Sequence, residues 1–210
     1  MFEPASATRE LGLFVYAHGA GGHMADGAML NTATALRAIG LGVVRFNFPY
    51  RERAGRGPDP MPVLKSTVAA VARSARDRVR PNGAFVIGGR SMGGRAASML
   101  AADGFAADGL LLLAYPLHPA GKPDRLRAAH LPAIPMPVLC FNGTRDSLCR
   151  QDLMETAIAP LGERWTMHWL HGADHGFRVP RSIGRTEDQV LEEIAQATRA
   201  WAAGLAPSLR

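Results

Sequence analysis

Lysine is almost absent from this 210-residue chain, although the chain carries a formal net charge of +6. Lysine occurs only at Lys65 and Lys122, so nearly all of the 24 basic residues are arginines. The arginines are dispersed rather than grouped in one block, and the sequence contains no motif of a nucleic-acid-binding module. We therefore expect no nucleic-acid partner, because dispersed arginine is more typical of a solvated surface.

Cysteine and long apolar runs are scarce as well. The two cysteines, Cys140 and Cys149, cannot form a disulfide framework, so we expect reduced thiols in a cytoplasmic protein. The first ten residues have no basic region, and Gly12, His18 and Gly19 interrupt the first apolar run, which argues against a signal peptide. No apolar stretch approaches the ~20 residues that span a bilayer, so we expect no membrane partner.

The remaining composition is that of an ordinary globular protein. Hydrophobic residues make up 47% of the chain and charged residues 20%. A chain of 210 residues is long enough for one hydrophobic core and short for two domains. Because the chain shows no repeat and no low-complexity linker, we expect a single domain over residues 1–210.

Apolar runs alternate with helix-periodic segments along almost the whole chain. The apolar runs predict six strands, at residues 11–17, 43–48, 85–88, 110–115, 138–142 and 165–170. The periodic segments predict helices at 26–39, 63–79, 95–102 and 151–158, a short one at 124–130, and a last helix that begins at a capping box over 186–189. The alternation predicts an α/β fold, a doubly wound and mostly parallel sheet of about six strands with helices on both faces. In such sheets the site lies beyond the carboxyl ends of the strands.

The third predicted strand runs directly into a G-x-S-x-G pattern centred on Ser91, with Gly89 and Gly93 on either side. A serine on so sharp a turn adopts a strained backbone, and the flanking glycines pass too close to each other to carry side chains. The Ser91 hydroxyl would then stand at the start of a helix, where free N–H groups face whatever it attacks. The alternative is a glycine-rich turn in which Ser91 only caps the helix.

An acid and a histidine follow the last two predicted strands. Asp146 comes after the fifth and His175 after the sixth, so the chain order Ser91, Asp146, His175 is that of the elbow-type hydrolases. His175 would take the serine proton and Asp146 would orient the ring. Three alternatives stay open: Asp146 caps the next helix, Asp174 is the acid, or His171 is the base. We expect Asp174 to diverge from its neighbour His175, and the His171 ring to pack at its strand end.

An oxyanion intermediate would need two convergent N–H donors, for which we select Met92 and Ala20. His18 could be a ligand, but we expect it to brace the loop that carries Ala20. The histidines lack a metal-ligand spacing such as H-E-x-x-H, and the glycines at 19, 21 and 22 lack the Lys-Ser/Thr end of a P-loop. We therefore predict no metal and no cofactor.

Four motifs carry a resemblance to a known superfamily: HGAGG at 18–22, GRSMGGR at 89–95, GTRD at 143–146 and GADHGF at 172–177. From about residue 11 to 205 the chain resembles a compact α/β-hydrolase. It is similar to a small group of bacterial predicted hydrolases, which is also similar to an animal testis-expressed protein and a subunit of a nuclear acetyltransferase complex. The segments FPYR at 48–51 and YPLHP at 115–119 support this narrower match, and a more distant one is to dienelactone-hydrolase-like enzymes. The resemblance implies a minimal fold with the first antiparallel strands missing or vestigial and no large cap.

These features predict a serine hydrolase, carboxylesterase-like, that acts on small ester or thioester substrates through an acyl-Ser91 intermediate. Peptidase or lactonase activity stays open, as does the oligomeric state. The resemblance to a complex subunit allows another class of function, a catalytically silent scaffold or interaction protein.

Four residues near the elbow are candidates for substrate binding: Tyr50, Arg51, Arg90 and Arg95. Arg95 lies in the first turn of a predicted helix, where the dipole disfavours a cation, so we expect a carboxylate partner, with Glu52 as an internal candidate. Two interpretations stay open for the arginines. They brace loops, or one or more of them binds an anionic acyl or leaving group through a bidentate contact.

Overall fold

The computed structural model describes residues 1–53, 57–79 and 82–205. Its strands are β1 (Phe2–Glu3), β2 (Gly12–Ala17), β3 (Leu41–Phe46), β4 (Ala84–Arg90), β5 (Gly109–Leu113), β6 (Val138–Gly143) and β7 (Trp165–Leu170). They form one sheet in the order β1-β3-β2-β4-β5-β6-β7. Every neighbouring pair is parallel except β1 with β3. This is the mostly parallel sheet that the sequence predicts.

The sheet has seven strands, so the expectation of about six is one too low. The additional strand is β1, where Phe2 pairs with Val44 and Glu3 with Val43 in antiparallel register. Two residues are too few to show the alternation that identifies a strand in a sequence. A two-residue antiparallel strand at the sheet edge agrees with the expectation that the first antiparallel strands are missing or vestigial.

The described residues form six α-helices, which pack on the sheet. They are α1 (Gly27–Ala38), α2 (Pro49–Glu52), α3 (Met61–Val79), α4 (Met92–Ala102), α5 (Gln151–Ile158) and α6 (Glu187–Ala203). The buried side chains of α1 and α6 share one core with one face of the sheet, and those of α3, α4 and α5 share the other. Because β2 and β5 are buried along their whole length, they appear in the sequence as continuous apolar runs.

The connections differ from the sequence prediction in two places. The short helix expected at 124–130 is wrong, because these residues form turns and only a 3₁₀ turn follows at Leu131–Ala133. Residues 114–137, which join β5 to β6, thus contain no α-helix and no large cap. In contrast, the loop expected over 49–62 begins with the one-turn α2, which has Pro49 at its first position.

Two helices have a capping residue at their N-terminus in the sequence, and the side-chain cap forms at α6 but not at α1. The α6 capping box is present: the Gln189 N–H donates to Thr186 Oγ1 (3.2 Å) and the Thr186 N–H to Gln189 Oε1 (2.9 Å). Asp26 precedes α1, but its carboxylate accepts from the His23 N–H (2.6 Å) instead of capping that helix.

Both cysteines are free thiols in the core. Burial raises the pKa of Cys140 and of Cys149, so both stay protonated at neutral pH. Across the described ranges, no helix combines the length and the apolar character needed to cross a membrane.

Candidate active site

The turn from β4 into α4 has the strained geometry that the G-x-S-x-G pattern predicts. Ser91 lies between the two elements with φ +50° and ψ −117°, a conformation that L-residues rarely adopt. A Cβ added to Gly89 would lie 2.7 Å from the carbonyl carbon of Gly93, so neither glycine can be replaced without moving backbone. The Ser91 N–H donates to the Leu113 carbonyl (2.9 Å), which fixes the turn against β5.

Ser91, His175 and Asp146 come together at the carboxyl edge of the sheet, although they are far apart in the chain. His175 Nε2 lies 2.9 Å from Ser91 Oγ. His175 Nδ1 lies 2.8 and 2.9 Å from the two carboxylate oxygens of Asp146. The Asp146 side chain is fully buried, whereas the His175 side chain is 27% exposed, so the ring faces solvent on one side and a fixed carboxylate on the other.

Asp146 does not cap α5, because the residue at that cap position is Arg150. Its carboxylate accepts instead from the Asn142 side-chain amide (3.0 Å) and from the Leu148 N–H (2.8 Å). Asn142 is itself buried and pairs with both backbone groups of Tyr115. Asn142 is not among the site residues that the sequence predicts. The available signal was one polar residue at the end of an otherwise apolar strand.

Arg90 holds the turn that carries His175. Its guanidinium donates to the His175 carbonyl (2.9 Å) and lies 4.5 Å from the centre of the Phe177 ring. The Asp174 carboxylate accepts from the Gly176 N–H (2.7 Å), so it organises this turn and does not face the histidine ring. His171 is exposed, and the expectation that its ring packs at the strand end is wrong.

The two predicted oxyanion donors are the N–H groups of Met92 and Ala20. Met92 is the first residue of α4, so its N–H has no partner in the helix ladder. On the other side, a Cβ added to Gly19 would lie 3.5 Å from the Ser91 Cβ, which places the loop after β2 against the serine. The Gly19 carbonyl accepts from the His18 ring (2.8 Å) and from the Gly22 N–H (3.0 Å). Because a trans peptide points its C=O and N–H in opposite directions, the Ala20 N–H faces away from these contacts.

His18 braces this loop, as the sequence analysis expected. The Phe48 N–H donates to His18 Nε2 (3.2 Å), which therefore carries a lone pair, and Nδ1–H donates to the Gly19 carbonyl. Burial lowers the pKa of His18, which favours this neutral form.

Tyr50 and Arg51 hold the same loop from the α2 side. The Tyr50 hydroxyl donates to the Ala20 carbonyl (2.7 Å). The Arg51 guanidinium donates to the carbonyl of Gly22 (2.7 Å) and to that of Gly21. For these two residues, and for Arg90, the contacts favour the loop-bracing interpretation.

Arg95 differs from the other candidate arginines. It is half-buried, and its buried Nε has no hydrogen-bond partner. Glu52, the expected partner, accepts instead from the Asn47 side-chain amide (2.8 Å). Within residues 1–53, 57–79 and 82–205, no carboxylate forms an ion pair with Arg95, so the expectation of an internal acidic partner is wrong for these residues. In the same ranges, no group of three or more His, Cys, Asp or Glu side chains is arranged to hold a metal ion.

Comparison with known proteins adds the family. Residues 10–203 match the family model described as an alpha/beta hydrolase domain. No curated protein matches the chain significantly. Among solved structures, an α-β serine hydrolase homologue from Coxiella burnetii superposes with a TM-score of 0.73 and 19% identity, over 97% of this chain and 88% of that chain.

Two further structures have the same fold. A member of the α/β serine hydrolases without a lid, from Xanthomonas campestris, gives a TM-score of 0.72 and 20% identity, over 99% of this chain and 89% of that one. A dienelactone hydrolase from Anabaena variabilis gives 0.72 and 20%, over 97% and 89%. The family model covers nearly the whole chain, so the chain belongs to the α/β-hydrolase family.

Proposed function

We propose that this protein is a serine hydrolase, carboxylesterase-like, which cleaves small esters or thioesters through an acyl-Ser91 intermediate. The observation that carries the proposal is the continuous hydrogen-bonded series from Ser91 Oγ through His175 to the buried Asp146 carboxylate. A serine hydroxyl is a weak nucleophile until a base removes its proton, and His175 Nε2 is at hydrogen-bond distance from it.

In the acylation step, Ser91 Oγ attacks the carbonyl carbon while His175 Nε2 takes the hydroxyl proton. Asp146 stabilises the imidazolium through Nδ1–H and stays ionised itself. The N–H groups of Met92 and Ala20 donate to the oxyanion, and loss of one such donor costs about 3–4 kcal/mol of barrier. When the tetrahedral intermediate collapses, the bond to the leaving group breaks and His175 gives that group its proton. Water then repeats the sequence on the acyl-serine and releases the acid.

The connection between β5 and β6 supports small substrates. In many α/β folds a site is covered by elements inserted at the sheet edge, but residues 114–137 contribute only turns and the 3₁₀ turn Leu131–Ala133. A site without a deep apolar cover provides little surface for a long acyl chain. Short acyl esters and thioesters are therefore the proposed substrate class.

The test is hydrolysis of 4-nitrophenyl acetate, 4-nitrophenyl butyrate and a matched short thioester by the purified protein. We expect turnover by the parent protein and a loss of roughly a thousandfold or more in kcat for Ser91→Ala and for His175→Ala, because such residues act as a unit. Ser98→Ala, a serine two turns further along α4, is the matched control and should retain turnover. A Ser91→Ala protein that keeps most of its activity would show that another group does the chemistry.

A further inference from the structure

Among the described residues, Arg95 and Arg127 are half-buried arginines near Ser91 that lack a strong internal acceptor. Arg51 and Arg90 each donate to backbone carbonyls at normal distances. The buried Nε of Arg95 has no partner. The contact that the structure gives the Arg127 guanidinium is to the Pro116 carbonyl at 3.5 Å, which is too long for a strong hydrogen bond.

The position of Arg127 is set by the connection after β5. The Tyr115 hydroxyl donates to the Arg127 carbonyl, and the Arg127 N–H donates to the Leu117 carbonyl, both at 2.7 Å. Tyr115 is buried and lies two residues after β5, which pairs with β4, the strand that precedes Ser91. Arg127 is therefore anchored by its backbone at the carboxyl edge of the sheet, with a half-buried side chain.

Arg95 belongs to α4, the helix that begins directly after Ser91. Its N–H donates to the Ser91 carbonyl, so it lies one helical turn beyond the serine. Side chains on a helix lean towards its N-terminus, which directs Arg95 back towards Ser91. Ser98, one turn further, contacts His130 Nε2 (2.8 Å), so this face of α4 packs on the connection that carries Arg127.

The charges in this cluster are uncompensated within the described ranges. Burial and the neighbouring Arg95 together lower the pKa of Arg127, and the same two causes lower the pKa of His130 to about 4. No carboxylate there pairs with either arginine. The positive end of the α4 dipole adds to the same potential. Two half-buried cations of like charge are costly unless an anion compensates them.

We propose that Arg95 and Arg127 together bind a carboxylate carried by the substrate, in a position one helical turn from the nucleophile. This inference rests on the proposed function and makes it more specific: the substrates are short esters or thioesters that bear an acid group. Two guanidinium forks match the two oxygens of a carboxylate, and their half-burial strengthens the contact relative to one in water. A neutral ester of equal size lacks this contact.

The test compares matched substrates. The 4-nitrophenyl monoesters of succinic and glutaric acid carry the acid on the acyl side, and 4-acetoxybenzoate carries it on the leaving group. Their neutral counterparts are 4-nitrophenyl butyrate, 4-nitrophenyl valerate and the methyl ester of 4-acetoxybenzoate. We expect one of the two acidic sets to have a KM lower by roughly tenfold or more, as for hydrogen bonds to charged groups.

The arginine variants separate this site from a general effect of charge. Arg95→Met and Arg127→Met should each abolish the preference for the acidic ester, and Arg95→Lys should retain part of it. Arg125→Met is the control, because Arg125 is exposed on the same connection. If the parent protein hydrolyses acidic and neutral esters equally well, the carboxylate site is overturned while the serine hydrolase proposal stands.

Direct binding keeps the two proposals distinguishable if no ester is turned over. Calorimetry would measure the binding of glutarate, with dimethyl glutarate as the neutral probe, to the Ser91→Ala protein. If no ester is turned over, binding of glutarate that is lost in the Ser91→Ala/Arg95→Met double variant supports the site. In the same case, absence of glutarate binding to the Ser91→Ala protein overturns it.

Discussion

Arg90 is the side chain between glycine and serine in the G-x-S-x-G pattern, and its contacts make it a positioning residue. It connects the nucleophile turn to the carbonyl of His175, 85 positions away in the chain. Its guanidinium also covers the ring of Phe177, which has φ +65°. Arg90 therefore restrains the His175 turn through its backbone carbonyl and not through the reacting atoms.

Replacing Arg90 by Met should lower kcat by roughly tenfold and leave KM nearly unchanged. The reason is that a less restrained His175 ring is less often at hydrogen-bond distance from Ser91 Oγ. Steady-state kinetics on a neutral ester measure the two constants separately. Arg73→Met is the matched control, since Arg73 lies 5.7 Å from the Phe105 ring, on the exposed side of α3. Equal kcat values for the Arg90→Met and Arg73→Met proteins would contradict this role.

The elbow is the element that fixes the site, and its glycines show why it tolerates little change. A Cβ added to Gly93 would lie 2.6 Å from the Ala17 carbonyl oxygen, at the end of β2. The methyl group would separate α4 from β2, and these two elements carry Ser91, Met92 and the loop with Ala20. A change at Gly93 therefore acts on the proposed nucleophile and on both proposed oxyanion donors together.

For Gly93→Ala we expect a loss of about 1–3 kcal/mol in the free energy of unfolding, with a larger fractional loss of kcat. Urea unfolding and ester kinetics measure the two effects. Gly27→Ala is the control, because it begins α1, has no positive φ, and its added Cβ meets nothing within 4 Å. An active Gly93→Ala protein with parental stability would show that the close approach is not required.

At the scale of the whole molecule, buried neutral histidines make stability depend on pH. His130 has a pKa of about 4 in the fold, against 6.5 for an unperturbed histidine. Above pH 6.5 it is neutral in both states and contributes nothing. As the pH falls from 6.5 towards 4, the unfolded chain takes up a proton that the folded protein binds poorly, so stability decreases. His18, whose pKa burial also lowers, acts in the same direction.

We therefore expect the melting temperature of the parent protein to decrease between about pH 6.5 and pH 4 more steeply than that of His130→Gln. The difference between the two curves isolates His130, because carboxylates titrate in both proteins. Thermal melts at half-unit pH steps would measure it. Parallel curves across this window would show that His130 is protonated as easily in the fold as in the unfolded chain.

The sequence predicts the fold well where local patterns carry the information. The bounds of β7 and α5 agree with the predicted 165–170 and 151–158, because a short apolar run and an amphipathic segment are local signals. The helix expected at 124–130 fails, since the neighbouring prolines favour turns there. β1 exists only through its pairing with β3, which no local pattern encodes.

The same contrast between local sequence patterns and tertiary contacts applies to the site. The meeting of Ser91, Asp146 and His175 could be predicted because the carboxyl ends of parallel strands lie at one edge of a sheet. The support of Asp146 by Asn142, and the effect of the Arg95 charge on Arg127, could not, because they depend on side-chain directions and on an irregular connection. Chain order thus indicates the reacting groups, whereas the structure is needed to identify the residues that hold them.

The central claim is that Ser91 is a nucleophile activated by His175, and covalent labelling tests it most directly. A fluorophosphonate probe forms a bond between phosphorus and an activated serine oxygen and releases fluoride. Mass spectrometry of the digested protein should find one adduct, on the peptide that contains Ser91, with labelling strongly slowed in His175→Ala and absent in Ser91→Ala. A folded parent protein that leaves Ser91 unmodified would contradict the account and favour a catalytically silent scaffold.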